Sequence, residues 1–171
     1  MALRKIRIDD DPLLRMVSKK VKEVTPRIKV LVEDMFETMY KEQGVGLAAP
    51  QIGILKRIAV IDLYDDNKFV LINPIILETE GEQTGIEGCL SFPGRVGDVT
   101  RPNSVKVEAT NLDGERYIIE GEGLLARALC HEIDHLDGIV FIEKAENLHD
   151  DDDINDDEDI DDNEDDDVDE F

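Results

Sequence analysis

Apolar residues recur with helical spacing in two separated parts of the chain. In residues 26–44 one helical face carries Ile28, Leu31, Val32, Met35, Met39 and Tyr40. This period predicts an amphipathic helix that ends at Gly44. The stretch LLARALCHEIDHLDG, residues 124–138, has the same period and is expected to close at Gly138. A brief third helix is predicted in DDPLLRMVSKKV, residues 10–21.

The chain between the two long helices has the pattern of β-strands. RIAVIDL (57–63) and KFVLINPIIL (68–77) are short β-rich runs, separated by the turn-forming YDDN. Residues 104–123 alternate between apolar and polar and contain Asp113-Gly114, a strong hairpin signal. Helices at both ends with antiparallel strands between them predict an α+β fold.

Charge divides the chain into two parts. The 171 residues are 41% hydrophobic, enough for one packed domain, and the net charge is −23. Residues 150–171 hold 13 Asp, 3 Glu and no Lys or Arg, so the rest of the chain carries only −7. A folded domain is expected over residues 1–148 and a disordered acidic tail over residues 149–171. Such a tail argues against direct nucleic-acid binding, which depends on Lys and Arg.

The expected location is the cytoplasm, with no membrane contact. The start, MALRKIRIDD, has no apolar stretch of the signal-peptide kind, and no run of eighteen apolar residues occurs. Cys89 and Cys130 are therefore interpreted as reduced thiols, available as ligands or as core residues.

The motif HEIDH, residues 131–135, predicts a metal site. His131 and His135 are one turn apart on the same helical face, and Glu132 lies beside them, able to handle a proton. The alternative is a pair of surface or hydrogen-bonded histidines on an amphipathic helix. Only three histidines occur in the chain, and two of them are here.

A catalytic metal site commonly has three protein ligands. The downstream histidine of metzincins is replaced by Phe141, and Glu143 and Glu146 lie too close to the motif to act as the thermolysin-type glutamate. Cys130 points about 100° round the helix from His131 and is expected to be a core thiol. Cys89 lies in GIEGCLSFPG, and taken alone it could be either a metal ligand or a core residue. The two-histidine site lacks a third ligand, which favours Cys89 as that ligand.

A glycine-rich segment supplies a third element. In GVGLAAPQIG, residues 44–53, the glycines leave backbone groups open to a ligand. Gln51 can donate a hydrogen bond to a developing oxyanion. The alternative is a glycine-rich helix cap and turn; a phosphate loop is excluded because the Lys-Ser/Thr ending is missing.

GVGLAAPQ at 44–51, EGCLS at 87–91 and HEIDH at 131–135 together resemble the bacterial-type peptide deformylases, in that family's order. The resemblance covers about residues 1–148. It implies an α+β fold with antiparallel β-sheets around a central C-terminal metal-binding helix and an N-terminal helical segment. It also implies removal of the formyl group from N-formylmethionine at the start of new polypeptides.

The resemblance assigns roles residue by residue. Cys89, His131 and His135 match the metal ligands, and Glu132 matches the catalytic acid and base. Gln51 and the backbone N–H of Leu90 match the groups that hold the formyl oxygen. The peptide is expected along Gly44, Val45 and Gly46, and the methionine pocket is expected to be lined or bordered by Ile86, Glu87, Leu124 and Ala128. The expected cofactor is one divalent metal ion, Fe²⁺ in the cell, with Zn²⁺, Ni²⁺ or Co²⁺ as substitutes.

Three features depart from the family pattern. Cys130 stands where a glutamine is frequent, and Arg127 stands where an apolar residue is expected, so its guanidinium is expected to snorkel to solvent. Some relatives end in a basic helix associated with ribosome docking, whereas this chain ends in acids; transient ribosome association would then not use the C-terminus. The competing hypothesis is a non-catalytic deformylase-like scaffold whose tail recruits a basic partner. The intact ligands and Glu132 favour the enzyme.

Overall fold

The computed structural model describes residues 2–151, and these form the predicted α+β fold with antiparallel sheets around a central helix. The helices are α1 (Pro26–Lys41) and α2 (Leu124–Leu136). The strands are β1 (Gly46–Ala48), β2 (Ile58–Asp62), β3 (Lys68–Glu80), β4 (Gln83–Cys89), β5 (Phe92–Arg101), β6 (Ser104–Thr110), β7 (Arg116–Glu122) and β8 (Glu146–Asp150). Short 3₁₀ turns occupy Pro12–Arg15, Ala49–Ile52 and Phe141–Glu143.

Two antiparallel sheets frame the molecule. The larger has the order β1-β2-β3-β6-β7, and the smaller has the order β4-β5-β8. The predicted hairpin joins β6 to β7, with Thr110 opposite Arg116 and Gly114 in the left-handed conformation at φ 79°. Both β1 and β4 are edge strands of their sheets, which leaves one side of each without a strand neighbour in the described part of the chain.

Strand β2 explains why the two helices lie on opposite faces of the larger sheet. Successive side chains of a strand point to opposite faces. Ile58 and Val60 pack with the apolar face of α1, whereas Ala59 and Ile61 pack with α2. A strand buried on both faces needs apolar residues throughout, which is why this segment shows no alternation.

Helix α1 is fixed by local chemistry at both ends. The Thr25 hydroxyl accepts a hydrogen bond from the Ile28 N–H at 3.3 Å, and Pro26 occupies the first turn. The helix ends at Lys41, earlier than the predicted stop at Gly44, because Gln43 already takes the left-handed conformation at φ 59°.

Helix α2 is buried along almost its whole length and packs against β7, β1 and β2. Its close approach to β7 depends on Gly121, where a Cβ atom would lie 3.0 Å from Leu125 and from Leu129. Cys130 is buried on this helix, as predicted, and burial raises the pKa of its thiol. Gly138, at φ 73°, follows the helix as expected.

The helix predicted over residues 10–21 is wrong beyond its first turn. Asp11 caps the 3₁₀ turn Pro12–Arg15, and the backbone becomes extended at Met16. The following backbone bonds to distant segments instead of to itself, with Ser18 N–H donating to Leu136 O at 2.9 Å and Lys19 N–H to Leu55 O at 3.1 Å. Tertiary hydrogen bonds therefore replace the helical ones.

The last described strand passes the domain boundary expected at residue 148. His149 pairs with Val96 and Asp150 pairs with Arg95, so both belong to β8 and not to a tail. The remainder of the acidic tail predicted to be disordered, residues 152–171, lies outside the described residues. No helix within residues 2–151 has the length and apolar character needed to cross a membrane.

Asp34 on α1 anchors the N-terminal segment, and its replacement tests that anchor. The buried carboxylate accepts hydrogen bonds from Ala2 N–H at 2.7 Å and from Arg4 Nε and Nη2 at 3.0 and 2.9 Å. The Ala2 amide and the Arg4 guanidinium lower the pKa of Asp34 despite its burial. We expect Asp34→Asn to lower the free energy of unfolding at pH 7 by about 1–3 kcal/mol.

The pH dependence of that loss follows from the lowered pKa. The stabilisation is complete above the unfolded pKa of about 3.9 and disappears as the pH falls through the lower folded value. Denaturant titrations of the wild type and Asp34→Asn should therefore converge below pH 4. Glu33→Gln, an exposed acid on the same helix, is the control and should change little. A difference between wild type and Asp34→Asn that is constant with pH would contradict the charged role.

Candidate metal centre and active-site cavity

Three candidate metal ligands meet between α2 and the end of β4. Cys89 Sγ lies 3.3 Å from His135 Nε2, and the two histidine Nε2 atoms lie 3.2 Å apart. All three ligand atoms fall within 4.8 Å of one another. The two histidines are adjacent because they are one helical turn apart, whereas Cys89 arrives through the tertiary fold. The structure therefore brings together the three residues that the sequence predicted.

The donor set fits a divalent transition metal. A tetrahedral ion with bonds of about 2.0–2.1 Å to nitrogen and about 2.3 Å to sulfur spans ligand separations of this size. One thiolate and two imidazoles suit zinc and the neighbouring transition metals. The surroundings of the two imidazoles shift their pKa values in opposite directions. Burial lowers the pKa of His135 well below its usual value, which keeps that ring neutral and its lone pair available.

His131 is held by a carboxylate. Its Nδ1 forms a short hydrogen bond with Glu87 Oε1, which leaves Nε2 directed at Cys89 and His135. Burial alone would lower the pKa of His131, but the neighbouring side chains of Cys89 and Glu87 outweigh it and raise the pKa. Burial likewise opposes the charge of Glu87, yet His131 and Arg101 hold the pKa of Glu87 well below its usual range.

Two arginines complete the surroundings of Glu87. Arg101 Nη2 lies 2.6 Å from Glu87 Oε1, and Arg127 Nη1 lies 2.7 Å from Glu87 Oε2. The expectation that Arg127 snorkels to solvent is wrong, because only 7% of Arg127 is exposed. The ion pair with Glu87 lets this guanidinium remain inside the protein. Arg101 was missed by the sequence reasoning, since a single arginine at a strand end gives no local signal.

Glu132 directly follows His131 on α2. Only 4% of it is exposed, and Oε2 has no hydrogen-bond partner in the described part of the chain. Burial raises the pKa of Glu132 to about 7. The carboxylate occupies space that Gly46 leaves open, because a Cβ atom there would lie 2.4 Å from Glu132 Oε1. A carboxylate of this kind can accept and return a proton near neutral pH.

Gln51 is fixed with its amide N–H groups toward the cluster. Its Oε1 accepts the Ala48 N–H at 2.9 Å, so Nε2 faces Ser91 Oγ at 3.1 Å and Cys89 Sγ at 3.5 Å. Leu90 follows Cys89 in the turn between β4 and β5. Ser91 is fully buried and accepts this hydrogen bond from Gln51. The sequence did not predict it as a site residue, although it lies within the EGCLS motif.

A cavity of about 600 Å³ opens above this cluster. Its walls include every residue for which the sequence predicted substrate contact, namely Gly44, Val45, Gly46, Ile86, Glu87, Leu124 and Ala128. Gln51, Leu90, Glu132, Cys89 and His131 also line it. Ile86 and Leu124 are more than half exposed, whereas Ala128 is buried. Glu87 borders the cavity as expected, but its carboxylate is turned toward His131 and the two arginines.

An α+β fold in which one cavity is lined by a buried carboxylate and by members of a Cys-His-His cluster is suited to metal-assisted hydrolysis. The family model for polypeptide deformylases matches residues 3–151. A peptide deformylase of Agathobacter rectalis is 60% identical over 151 residues, covering 88% of this chain and 95% of the relative. The chain belongs to the polypeptide deformylase family and is an enzyme of that family.

Solved structures agree with this assignment. The crystal structure of peptide deformylase from Thermotoga maritima has a TM-score of 0.82 and 40% identity, covering 85% of this chain and 99% of that one. A peptide deformylase from Synechococcus elongatus in complex with actinonin has a TM-score of 0.80 and 40% identity, covering 83% and 78% of the two chains. The resemblance drawn from the three sequence motifs is thus confirmed.

Proposed function

We propose that this enzyme removes the N-formyl group from the N-terminal formylmethionine of newly made polypeptides, by metal-dependent hydrolysis with Glu132 as base and then acid. The observation that carries the proposal is that Glu132, whose buried Oε2 has no hydrogen-bond partner within residues 2–151, lines the same cavity as Cys89 and His131, two of the three clustered candidate ligands. Family membership supplies the substrate class.

The two sheet edges support binding of an extended peptide. β1 ends the larger sheet, β4 ends the smaller, and both line the cavity. An extended chain can add to such an edge through backbone hydrogen bonds. We place the peptide along Gly44, Val45 and Gly46. The methionine side chain would then lie among Ile86, Leu124 and Ala128, with Glu87 at the border.

The proposed chemistry uses residues already positioned around the cluster. Cys89, His131 and His135 would hold the divalent ion, which supplies Lewis acidity when it is bound. Glu132 Oε2 takes a proton from the water that attacks the formyl carbon. Gln51 Nε2 and the Leu90 N–H donate hydrogen bonds to the formyl oxygen as negative charge develops on it. The C–N bond then breaks, Glu132 returns its proton to the departing amine, and formate leaves.

The proposed metal is ferrous iron in the cell, with zinc, nickel or cobalt as substitutes. A thiolate with two imidazoles supports all four ions, and affinity order alone does not decide which one a cell supplies. The proposed location is the cytoplasm, where the substrates are nascent chains. Any association with the ribosome would be transient, and the acidic C-terminus argues against docking through that end.

The test is release of formate from a formyl-Met tripeptide by enzyme purified without oxygen, with bound metal counted on the same sample. The expected result is formate release with about one metal ion per chain, and none from the N-acetyl version of the peptide. Actinonin, the ligand in the Synechococcus elongatus structure, is expected to inhibit the release. Bound metal without formate, after reloading with ferrous iron or nickel, would contradict the proposal.

Gly46→Ala tests the space reserved for the catalytic carboxylate. A Cβ atom 2.4 Å from Glu132 Oε1 must displace that side chain. A misplacement of about 1 Å can cost about 100-fold in rate, so we expect kcat to fall about 10- to 100-fold with metal content unchanged. Formate release and metal counting on the same preparation check this. A wild-type kcat would show that the space left open at Gly46 does not control the position of the Glu132 carboxylate.

We propose that the catalytic domain ends near the last described residue and that the acidic tail is dispensable for chemistry. The family match stops at residue 151. A chain ending at Asp151, which keeps β8, is expected to release formate from a short peptide within about twofold of the full chain. A chain ending at Ala145 loses β8 and its pairing with β5, and it should have a lower melting temperature. A large loss of activity in the chain that ends at Asp151 would assign the tail a catalytic role.

A further inference from the structure

Arg127 is a buried cation that the proposed chemistry does not use. It lies on α2 one turn before His131, and a charge inside a protein is costly unless it is paired. The fold makes room for it at Gly85, where a Cβ atom would lie 3.3 Å from Arg127 Nη2. A side chain kept inside at this cost, beside a candidate metal centre, requires a physical reason.

The contacts of Arg127 join α2 to the smaller sheet. Nη1 donates to Glu87 Oε2 at 2.7 Å on β4 and to Val99 O at 3.0 Å on β5, with a longer contact to Gly85 O at 3.5 Å. Glu87 precedes Cys89 by two residues on the same strand. One guanidinium therefore connects the helix that carries both histidines to the strand that carries the cysteine.

Arg101 makes the complementary connection from the sheet side. It contacts Glu87 through two nitrogens, and its Nη1 reaches Asp134 Oδ2 on α2 at 2.5 Å. Asp134 follows His131 on the helix, whereas Arg127 precedes it. The His131–Glu87 hydrogen bond and the Arg101–Asp134 ion pair hold α2 at His131 and beyond it. Arg127 adds contacts one turn before His131, so that the helix is held on both sides of this residue.

We propose that Arg127 is a positioning residue of the metal centre: by holding α2 against β4 through Glu87 and Val99, it fixes the His131 ring and the separation of the two histidines from Cys89. The inference rests on the proposed metal site. Arginine suits this role because Nη1 carries two N–H donors fixed in the guanidinium plane, which serve Glu87 Oε2 and Val99 O at once, whereas the ammonium of lysine is a point charge on a flexible stem.

The test compares Arg127→Met with the wild type in metal affinity and in the spectrum of the Co²⁺-loaded protein. Removing a residue that orients a metal ligand typically weakens metal affinity about 10- to 100-fold. We therefore expect the Kd for Zn²⁺, measured by chelator competition, to rise about 10- to 100-fold. We also expect a weaker or displaced thiolate-to-cobalt absorption band, because Cys89 no longer meets the ion in the same geometry.

Arg57→Met is the matched control, since Arg57 also ties down α2 but at its far end. Its Nη1 donates to Leu136 O and its Nη2 to Asp137 Oδ1, both at 2.9 Å. It is expected to lower the melting temperature while leaving the Kd for Zn²⁺ within twofold and the cobalt band in place. An equal loss of affinity in both variants would reduce the effect of Arg127 to general destabilisation and overturn the proposal.

A second substitution keeps the test decisive if Arg127→Met does not fold. Arg127→Lys retains the charge but not the planar guanidinium, and we expect the folded protein to bind Zn²⁺ at least about threefold more weakly than wild type. Wild-type affinity in a folded Arg127→Met or Arg127→Lys variant would overturn the positioning role while leaving the proposed function intact. A wild type that binds neither Zn²⁺ nor Co²⁺ would instead refute the metal site itself.

Discussion

Glu132→Gln is expected to retain bound metal and to lose about 10²- to 10⁴-fold of kcat, the usual contribution of a positioned acid or base. The substitution keeps the size of the side chain but removes its ability to take a proton. Oε2 of Glu132 has no partner in the described residues, so the loss of the charge breaks no ion pair that would destabilise the fold. Formate release and metal content measured on the same sample separate the two effects.

Asp137→Asn is the control for Glu132→Gln. Asp137 directly follows α2, but its half-exposed carboxylate pairs with Arg57, away from the cavity. It should keep both metal and turnover. If Glu132→Gln had near-normal kcat, Glu132 would not be the base, and another group lining the cavity would have to accept the proton.

Cys89→Ala is expected to lose tightly bound metal and, with it, nearly all formate release. The three candidate ligand atoms lie within 4.8 Å of one another, and the thiolate is the only anionic ligand among them. Without Cys89, the two remaining imidazoles form an incomplete site. Counting metal after dialysis against a weak chelator checks this result.

The other cysteine, Cys130, provides the control for Cys89→Ala. Cys130→Ala removes a buried thiol next to His131 in the sequence but outside the ligand cluster. Its expected effect is a modest loss of stability from the small cavity it leaves, with metal content unchanged. A full equivalent of metal retained by Cys89→Ala would remove Cys89 from the ligand set.

Local patterns account for what was correctly predicted in the fold. The 3.6-residue period located α1 and α2, and Asp113-Gly114 located the hairpin between β6 and β7. The sequence reasoning missed β8 and did not recognise the glycine-containing segment around Cys89 as strand. Those strands exist because β4, β5 and β8 pair with one another, which no local pattern records.

The candidate ligands could be predicted from local patterns and motif order, whereas the contacts of the groups that support them depend on the tertiary fold. His131 and His135 are neighbours by helix geometry alone, and motif order led to Cys89 and Gln51. The contacts of Glu87 were not predictable, since its partners Arg101, Arg127 and His131 lie 14, 40 and 44 residues away. Arg127 was expected at the surface because a charge on a helix ordinarily reaches water, and only its pairing with Glu87 reverses that expectation.

The sequence by itself determined the family, the two long helices and the set of residues able to hold a metal, because each depends on spacing over a few residues or on motif order. Only the tertiary structure decided how those residues are oriented. It placed the Glu132 carboxylate against Gly46, turned Glu87 from the cavity border toward His131, and buried Arg127 between α2 and the smaller sheet. The physical reason is that long-range packing sets which charges are buried together, and a buried charge must find its partner wherever the fold brings one.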